Sequence, residues 1–351
     1  MKEVRFGFIG SGKISHFSAE SLLKHEHARL VATQDLNKAR ADELADKFDI
    51  THRYTESSEL FARPDIDAVY IAVPNKFHAA LAIDAMRAGK HVLLEKPFAM
   101  SAAEAEEVIR VSKETGRVFT VGMNQRFNED SQKIKAIAKT GALGEIYYAK
   151  AYWFRREGIP KLGTWFGNKA LAGAGAINDI GVHLLDLCLH AMDNFEPVSV
   201  FGTTYTKFGN RGLGEGGWGI SDATESTFDV DDLASAMIKM RNGATVCLEV
   251  SWAAHIADAN RMDVELFGTE MGASLYPAKL YKRSDPHNAD YQVIENVAAK
   301  PALEHCDRFH NFVNHLLHDE PLLVTAQEAL VVQKILDAVA ESTRTGKSVD
   351  L

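Results

Sequence analysis

Three short stretches carry side chains able to handle a proton and a hydride. "LLEKPF" puts Lys96 at the end of an apolar run. "DIGVH" spaces Asp179 and His183 four apart in a helical stretch, hence on one face. "GFIGSGKIS" puts Gly10 and Gly12 between a strand pattern and a helix pattern. Oxidising a secondary alcohol needs a base for the hydroxyl proton, a charge near the developing alkoxide and a hydride acceptor. Histidine is the side chain whose ordinary pKa suits the first task. A lysine at the C-terminal end of a parallel strand stands where open α/β sheets bind ligands, and suits the second. Read alone, "DIGVH" is equally a helix cap, Asp179, followed by a packed core histidine, His183.

The glycine turn bears on the third task. Gly10 permits a sharp bend, and Gly12 lets backbone approach a pyrophosphate. The helix opening at Lys13 and Ile14 offers free N–H groups and a positive dipole end. Ser15 replaces the third glycine of the usual pattern. Asp35, 25 residues after Gly10, is the acid expected at the end of the second strand. Its carboxylate accepts both ribose hydroxyls of NAD. It repels a 2′-phosphate by about 4 kcal/mol at contact distance and intermediate dielectric, softened by Lys38 and Arg40. NAD is therefore favoured over NADP. Pro74, Asn75 and His78 follow the strand pattern "VYIAVP", at the mouth where a nicotinamide lies, and read as cofactor contacts. A second glycine match, "GLGEGG" at Gly212–Gly217, is followed by "WGISDATEST", which is no helix; with six glycines in Gly209–Gly219, the run reads as a mobile loop and not a cofactor site. His25 and His27 in "HEH" read as solvated surface, and no metal is implied.

The elements that position these residues follow from patterning. A chain of 351 residues exceeds one ordinary core, so two domains are expected. Up to about Val121, strands rich in Val and Ile alternate with helical segments, the mark of βαβ units and a parallel sheet. After about Asn124, strand-like segments follow one another with few helices, among them "GEIYYAKAYWFRR", "VSVFGTTYTKF", "LASAMIKMR" and "ATVCLEVSWAAH". Asn242-Gly243 marks a hairpin. Helices are expected at about Asp179–His190, 302–317 and 326–345. The division is 1–122 and 123–351, with the last helix free to pack back on the first domain.

Composition excludes some partners. The net charge is −9, from 39 basic and 48 acidic residues, with no Lys/Arg block, which argues against nucleic acid. No apolar run reaches the roughly 18 residues of a membrane span. Three scattered cysteines and a start that runs straight into a strand fit a cytoplasmic protein.

"GFIGSGKIS", "DIDAVYIAVPNKFH", "AGKHVLLEKPFAMS" and "GAGAINDIGVHLLDL" together resemble the Gfo/Idh/MocA oxidoreductases, in order and nearly end to end. The resemblance implies an α/β N-terminal Rossmann domain with a parallel sheet. It implies a C-terminal α+β domain with a large, mostly antiparallel open sheet that makes a homodimer or homotetramer. The implied activity is hydride transfer between NAD or NADP and a secondary alcohol of a sugar or cyclitol. Lys96, Asp179 and His183 then form the catalytic group, with a cis Lys96–Pro97 bond and Glu95 on cofactor ribose or carboxamide. Arg126, in "QRF", lines the substrate site. Arg155, Arg156 and Trp165 bind hydroxyls or carboxylate and stack on a sugar ring, or serve packing. Two departures bear on substrate: Gly173-Ala174-Gly175 replaces a triple glycine, and Asn178 precedes the "DIGVH" acid. Relatives on this fold also include NAD-dependent glycosidases and nucleotide-gated regulators; a regulator needs none of Lys96, Asp179 and His183.

Overall fold

The computed structural model describes residues 2–220, 227–285, 290–301, 303, 305 and 307–351. Six strands form the first sheet: β1 (Val4–Ile9), β2 (Ala28–Gln34), β3 (His52–Tyr54), β4 (Ala68–Ile71), β5 (His91–Leu94) and β6 (Phe119–Val121). All pair in parallel, in the order β3-β2-β1-β4-β5-β6. Strands buried on both faces read as continuous apolar runs, and every residue of β4 is buried. The covering helices are α1 (Lys13–Leu22), α2 (Lys38–Phe48), α3 (Ser57–Phe61), α4 (His78–Arg87) and α5 (Ala102–Thr115). Strand order turns back between β1 and β4, so a crevice opens at their C-terminal ends. Gly10 and Pro74 stand at that crevice.

The chain then enters α6 (Glu129–Lys139), a helix the strand-dominated pattern did not reveal. The second sheet begins with β7 (Ile146–Arg155). Two helices follow, α7 (Lys169–Ala172) and α8 (Val182–Met192). The remaining strands up to α9 are β8 (Pro197–Tyr205), β9 (Leu233–Met240), β10 (Thr245–Ser251), β11 (Asn260–Gly268), β12 (Met271–Leu275), β13 (Ala278–Arg283) and β14 (Tyr291–Ile294). With β15 (Val349–Asp350) they make nine strands, in the order β14-β13-β12-β11-β7-β10-β9-β8-β15. Among the named strands of the described residues, β7 and β10 pair in parallel and the other neighbours antiparallel. One face packs on α8 and on the final helix; the other leaves Phe201, Met237 and Phe267 exposed.

Two helices close the chain. In α9 (Arg308–His318), Phe309 and Phe312 pack against Phe6, and Phe309 also meets Phe8 and Tyr70. The far end of the chain thus completes the core of the first sheet. The first residues of the helix expected at 302–317 include 302, 304 and 306, which lie outside the described residues. The last helix, α10 (Ala326–Thr345), starts on a capping box between Thr325 and Glu328 and packs on β8 and α5.

Arg126 does not line a substrate site. It is fully buried, with Nε 2.8 Å and Nη2 2.6 Å from the two oxygens of Asp186, and Nη1 2.8 Å from Glu328. A guanidinium removed from water is retained only when its fork is filled, and these two carboxylates from α8 and α10 fill it. Removing it strands both. Arg126→Met is expected to lower unfolding free energy by about 3–5 kcal/mol, read from urea transitions. An unchanged transition midpoint with weaker substrate binding would return Arg126 to the site.

Candidate active site

The glycine turn has the shape its sequence implies. Gly10 has φ +89°, and a Cβ there would lie 2.3 Å from the carbonyl oxygen of Ala72. A Cβ on Gly12 would meet nothing within 4 Å, so the space above it is open. The N-terminus of α1 has no side-chain cap. Open space over free amides at a positive dipole end fits a pyrophosphate. Ser15 turns the missing glycine to use: its buried hydroxyl donates to the Gly10 carbonyl at 2.7 Å. Asp35 is held at the rim, accepting N–H bonds from Ser11 and Asn37, each 2.8 Å. Lys38 bonds Asp42 at 2.6 Å, so its charge is engaged elsewhere.

A cavity of about 880 Å³ runs from this turn to the second sheet. Gly10, Gly12, Lys13, Ile14 and Asp35 line one end. Pro74, Asn75, Glu95 and Lys96 line its middle, and Arg155, Trp165, Asp179 and His183 its far end. Asn75 is fixed by donating to the Ala172 carbonyl at 2.9 Å.

Two expected cofactor contacts are differently employed. His78 is buried behind the cavity wall, Nδ1 2.8 Å from the Pro97 carbonyl and Nε2 2.9 Å from that of Val73. It ties the loop after β4 to the loop after β5 and does not touch the cavity. Glu95 reaches the wall, but its Oε1 lies 2.6 Å from Arg308 and 2.5 Å from the Tyr70 hydroxyl. Its carboxylate anchors the loop bearing Lys96 rather than standing free for ribose.

Lys96, Asp179 and His183 meet at the far end. The Lys96–Pro97 bond is cis. Lys96 Nζ donates to Asp179 Oδ1 at 2.8 Å and to the Asp179 carbonyl at 3.0 Å. Trp252 Nε1 donates to Asp179 Oδ2 at 2.9 Å. Both carboxylate oxygens are thus engaged, and Asp179 orients Lys96 rather than His183. Burial opposes the Asp179 charge, yet Lys96 outweighs it and the pKa stays below the usual carboxylate value. Asp179 belongs to one turn of π-helix, Ile177–Gly181, that runs into α8. Such turns occur often at functional sites. Asp231 pins its start, accepting from Gly175 N at 2.7 Å and Ile177 N at 2.9 Å. A Cβ on Gly175 would lie 1.9 Å from the Asp231 carbonyl oxygen, so packing requires glycine there; of the other two positions of the triplet, Gly173 keeps its glycine, at φ +77°, and Ala174 does not.

His183 follows in α8. Burial, with Lys96 adding to it, pulls its pKa down to about 3. The imidazole is therefore in its neutral form at ordinary pH. Its Nδ1 is buried with no hydrogen-bond partner among the described groups.

Trp218, Trp252, Arg308 and Asp231 escaped the sequence reading. Trp218 lies in the glycine-rich run read as a mobile loop, and here that run is placed. Gly158 N and Ile159 N donate to the Gly214 carbonyl at 3.0 and 2.9 Å, and Gly216 N to Ile159 O at 2.8 Å. Residues 221–226, in the "WGISDATEST" stretch, lie outside the described residues. The Trp218 ring receives the Lys13 ammonium at 4.5 Å and stacks with Phe17 at 6.2 Å. A loop of the second sheet's domain therefore lies on the helix that begins at the glycine turn. A lone tryptophan among glycines has no periodicity to announce it. Arg156 faces away, donating to the carbonyls of Ile256, at 3.1 Å, and Ala257. His25 is half-buried, bonded to Asn314 at 3.0 Å and packed edge-on to His310, rather than solvated.

Residues 4–123 match the model described as "Oxidoreductase family, NAD-binding Rossmann fold", and residues 131–274 the GFO/IDH/MocA C-terminal domain. The D-glucoside 3-dehydrogenase of Escherichia coli K12 is 29% identical over 99% of this chain and 97% of its own. An NAD-binding protein from Listeria innocua superposes with TM-score 0.82 at 26% identity, covering 99% of this chain and 97% of its own. A levoglucosan dehydrogenase, solved with NADH and levoglucosan, shares the fold with TM-score 0.83 at 23% identity and 99% of both chains. The chain belongs to the Gfo/Idh/MocA family of NAD-binding oxidoreductases.

Proposed function

We propose that this chain transfers a hydride between NAD and a secondary alcohol of a sugar or cyclitol at the Lys96–Asp179–His183 end of the cavity. The observation that carries this is the convergence of an ammonium, fixed at 2.8 Å to a carboxylate, and a neutral imidazole on one cavity that begins at a dinucleotide turn. The nicotinamide, when bound, accepts or returns the hydride. Lys96 donates a hydrogen bond to the substrate oxygen and steadies its charge as it becomes an alkoxide. His183 takes the hydroxyl proton during oxidation and returns it during reduction. Asp179 and Trp252 hold Lys96 in place. Relatives named for glucosides and levoglucosan support a sugar-like ring as substrate.

Asp35 favours NAD over NADP, because its fixed carboxylate opposes a 2′-phosphate while Lys38 is spent on Asp42. A division into residues 1–122 and 123–351 is supported by the separation into two sheets, with α9 packing back on the first. Exposed Phe201, Met237 and Phe267 on the open face support assembly into a homodimer or homotetramer through it. Among the described residues no helix is long and apolar enough to cross a membrane. The free thiols of Cys188 and Cys247 support a cytoplasmic setting.

Inositols, aldoses and alkyl glycosides offered with NAD, with absorbance of the reduced nicotinamide followed, test the reading. NADH formed in stoichiometry with the ring ketone, an inosose or keto sugar, supports it; glycoside cleavage without net NADH would indicate the glycosidase chemistry instead. His183→Ala is expected to lower kcat at least about a hundredfold with NAD affinity little changed. Because the imidazole is already neutral, kcat/KM for oxidation is expected to show no loss on acidification through about 6.5, the ordinary histidine value. A wild-type limb there that vanishes in His183→Gln contradicts the depressed His183 pKa while keeping His183 as the base; a wild-type limb that persists in His183→Gln belongs to another group. Trp218→Ala is expected to speed NADH release at least about tenfold in stopped-flow fluorescence, about 1.4 kcal/mol of lost contact. An unaltered release rate removes the loop from the cofactor site.

A further inference from the structure

Arg155 ends β7 and faces the substrate end of the cavity, and its guanidinium is nearly without acceptors. Its one hydrogen bond among the described residues is a long one, Nη1 to the Gly158 carbonyl at 3.5 Å. One face lies on the Trp153 ring, 4.4 Å from its centroid. A guanidinium has five N–H donors in a planar fork. The group is largely withdrawn from water, and burial lowers its pKa. Arg126 shows how the same protein treats a guanidinium whose role is structural: two carboxylates fill its fork.

The neighbouring charges leave a positive remainder. Asp179 is the nearest acid, and its two oxygens are taken by Lys96 and Trp252. Glu95 is matched by Arg308. Lys96 and Arg155 therefore face the far end of the cavity against one carboxylate. Trp165 and Phe166, stacked at 4.0 Å, supply an apolar wall beside this charge.

We infer that the substrate carries a carboxylate, as in a uronic acid or a carboxylated cyclitol, and that Arg155 grips it with its fork while the Lys96–His183 pair works on a ring hydroxyl. This rests on the hydride-transfer reading of the same cavity. A carboxylate is planar and matches the edge of a guanidinium with two parallel bonds, which Trp153 beneath the group leaves free. A neutral hydroxyl fills one donor and leaves the charge unmet. A phosphate ester shares the charge but not the planarity.

Calorimetric titration of the NADH-saturated protein tests this without requiring turnover. The probes are D-glucuronate with D-glucose, D-galacturonate with D-galactose, and D-glucose 6-phosphate. At least one uronate is expected to bind at least tenfold tighter than its neutral partner and tighter than the phosphate. Arg155→Gln is expected to cut that ratio at least tenfold. Arg155→Lys, which keeps the charge without the fork, is expected to restore only part of it. NADH affinity of each variant checks the fold. Equal binding of acid and neutral sugar, a ratio that survives Arg155→Gln, or preference for the phosphate overturns the inference. Turnover of the same sugars with NAD separates the two ideas. Oxidation of neutral sugars with no uronate preference overturns the carboxylate subsite and leaves hydride transfer standing. Arg155-dependent uronate binding without NADH formation supports the subsite and contradicts the hydride reading.

Discussion

The Lys96–Asp179 pair is the constraint on which the site is built. Lys96 comes from the loop after a strand of the first sheet, Asp179 from a helical turn packed on the second. Both side chains are mostly withdrawn from water, at 17% and 16% exposure. Separating them leaves two buried charges, so the pair fixes where one domain's ligand edge stands relative to the other's. It also decides the chemistry beside it. A cation held there adds to burial in depressing the His183 pKa, and a neutral imidazole is the form that accepts a proton. The geometry of the proposed site and the arrangement of the two sheets thus share one interaction.

Around that pair, the charged residues divide by whether their partners close. Arg126, Glu95 and Arg308 are enclosed in networks whose members satisfy one another, and they hold elements together. Tyr70 joins the second network through its hydroxyl, and Asp231 fastens the turn that carries Asp179 through two backbone amides. Arg155 differs, lining the cavity with most of its donors open; His183 lines the same cavity, and its Nδ1 is buried with no hydrogen-bond partner among the described residues. In a packed interior, incomplete pairing is costly, so groups left open there point to a ligand.

Much of the fold was legible because its signals are local. Buried parallel strands announce themselves as Val/Ile runs, and α10 carries its own capping box in Thr325 and Glu328. Gly10, Gly12 and Asp35 were legible because the turn imposes residue types at fixed spacing. Arg126 was misread because its partners lie 60 and 202 residues away, and no pattern links "QRF" to Asp186 or Glu328. His78 was misread for a similar reason: its position beside the cavity is right, but the direction of its ring is set by two carbonyls that sequence does not display. Helix α6 was missed because its polar face dominates a short segment between strands. Trp218 was missed because a glycine-rich run suggests freedom, whereas here it is the means of close approach: a Cβ on Gly216 would lie 2.6 Å from Gly158.

The most direct test of the central claim is a double-mutant cycle on Lys96 and Asp179, read as the single-turnover rate of hydride transfer. If the two act as one unit, Lys96→Met and Asp179→Asn each slow the step strongly, and the double variant is little worse than the poorer single one. The coupling is then at least about 1.5 kcal/mol. Additive losses, with the double variant slowed by the product of the two single effects, would contradict the account.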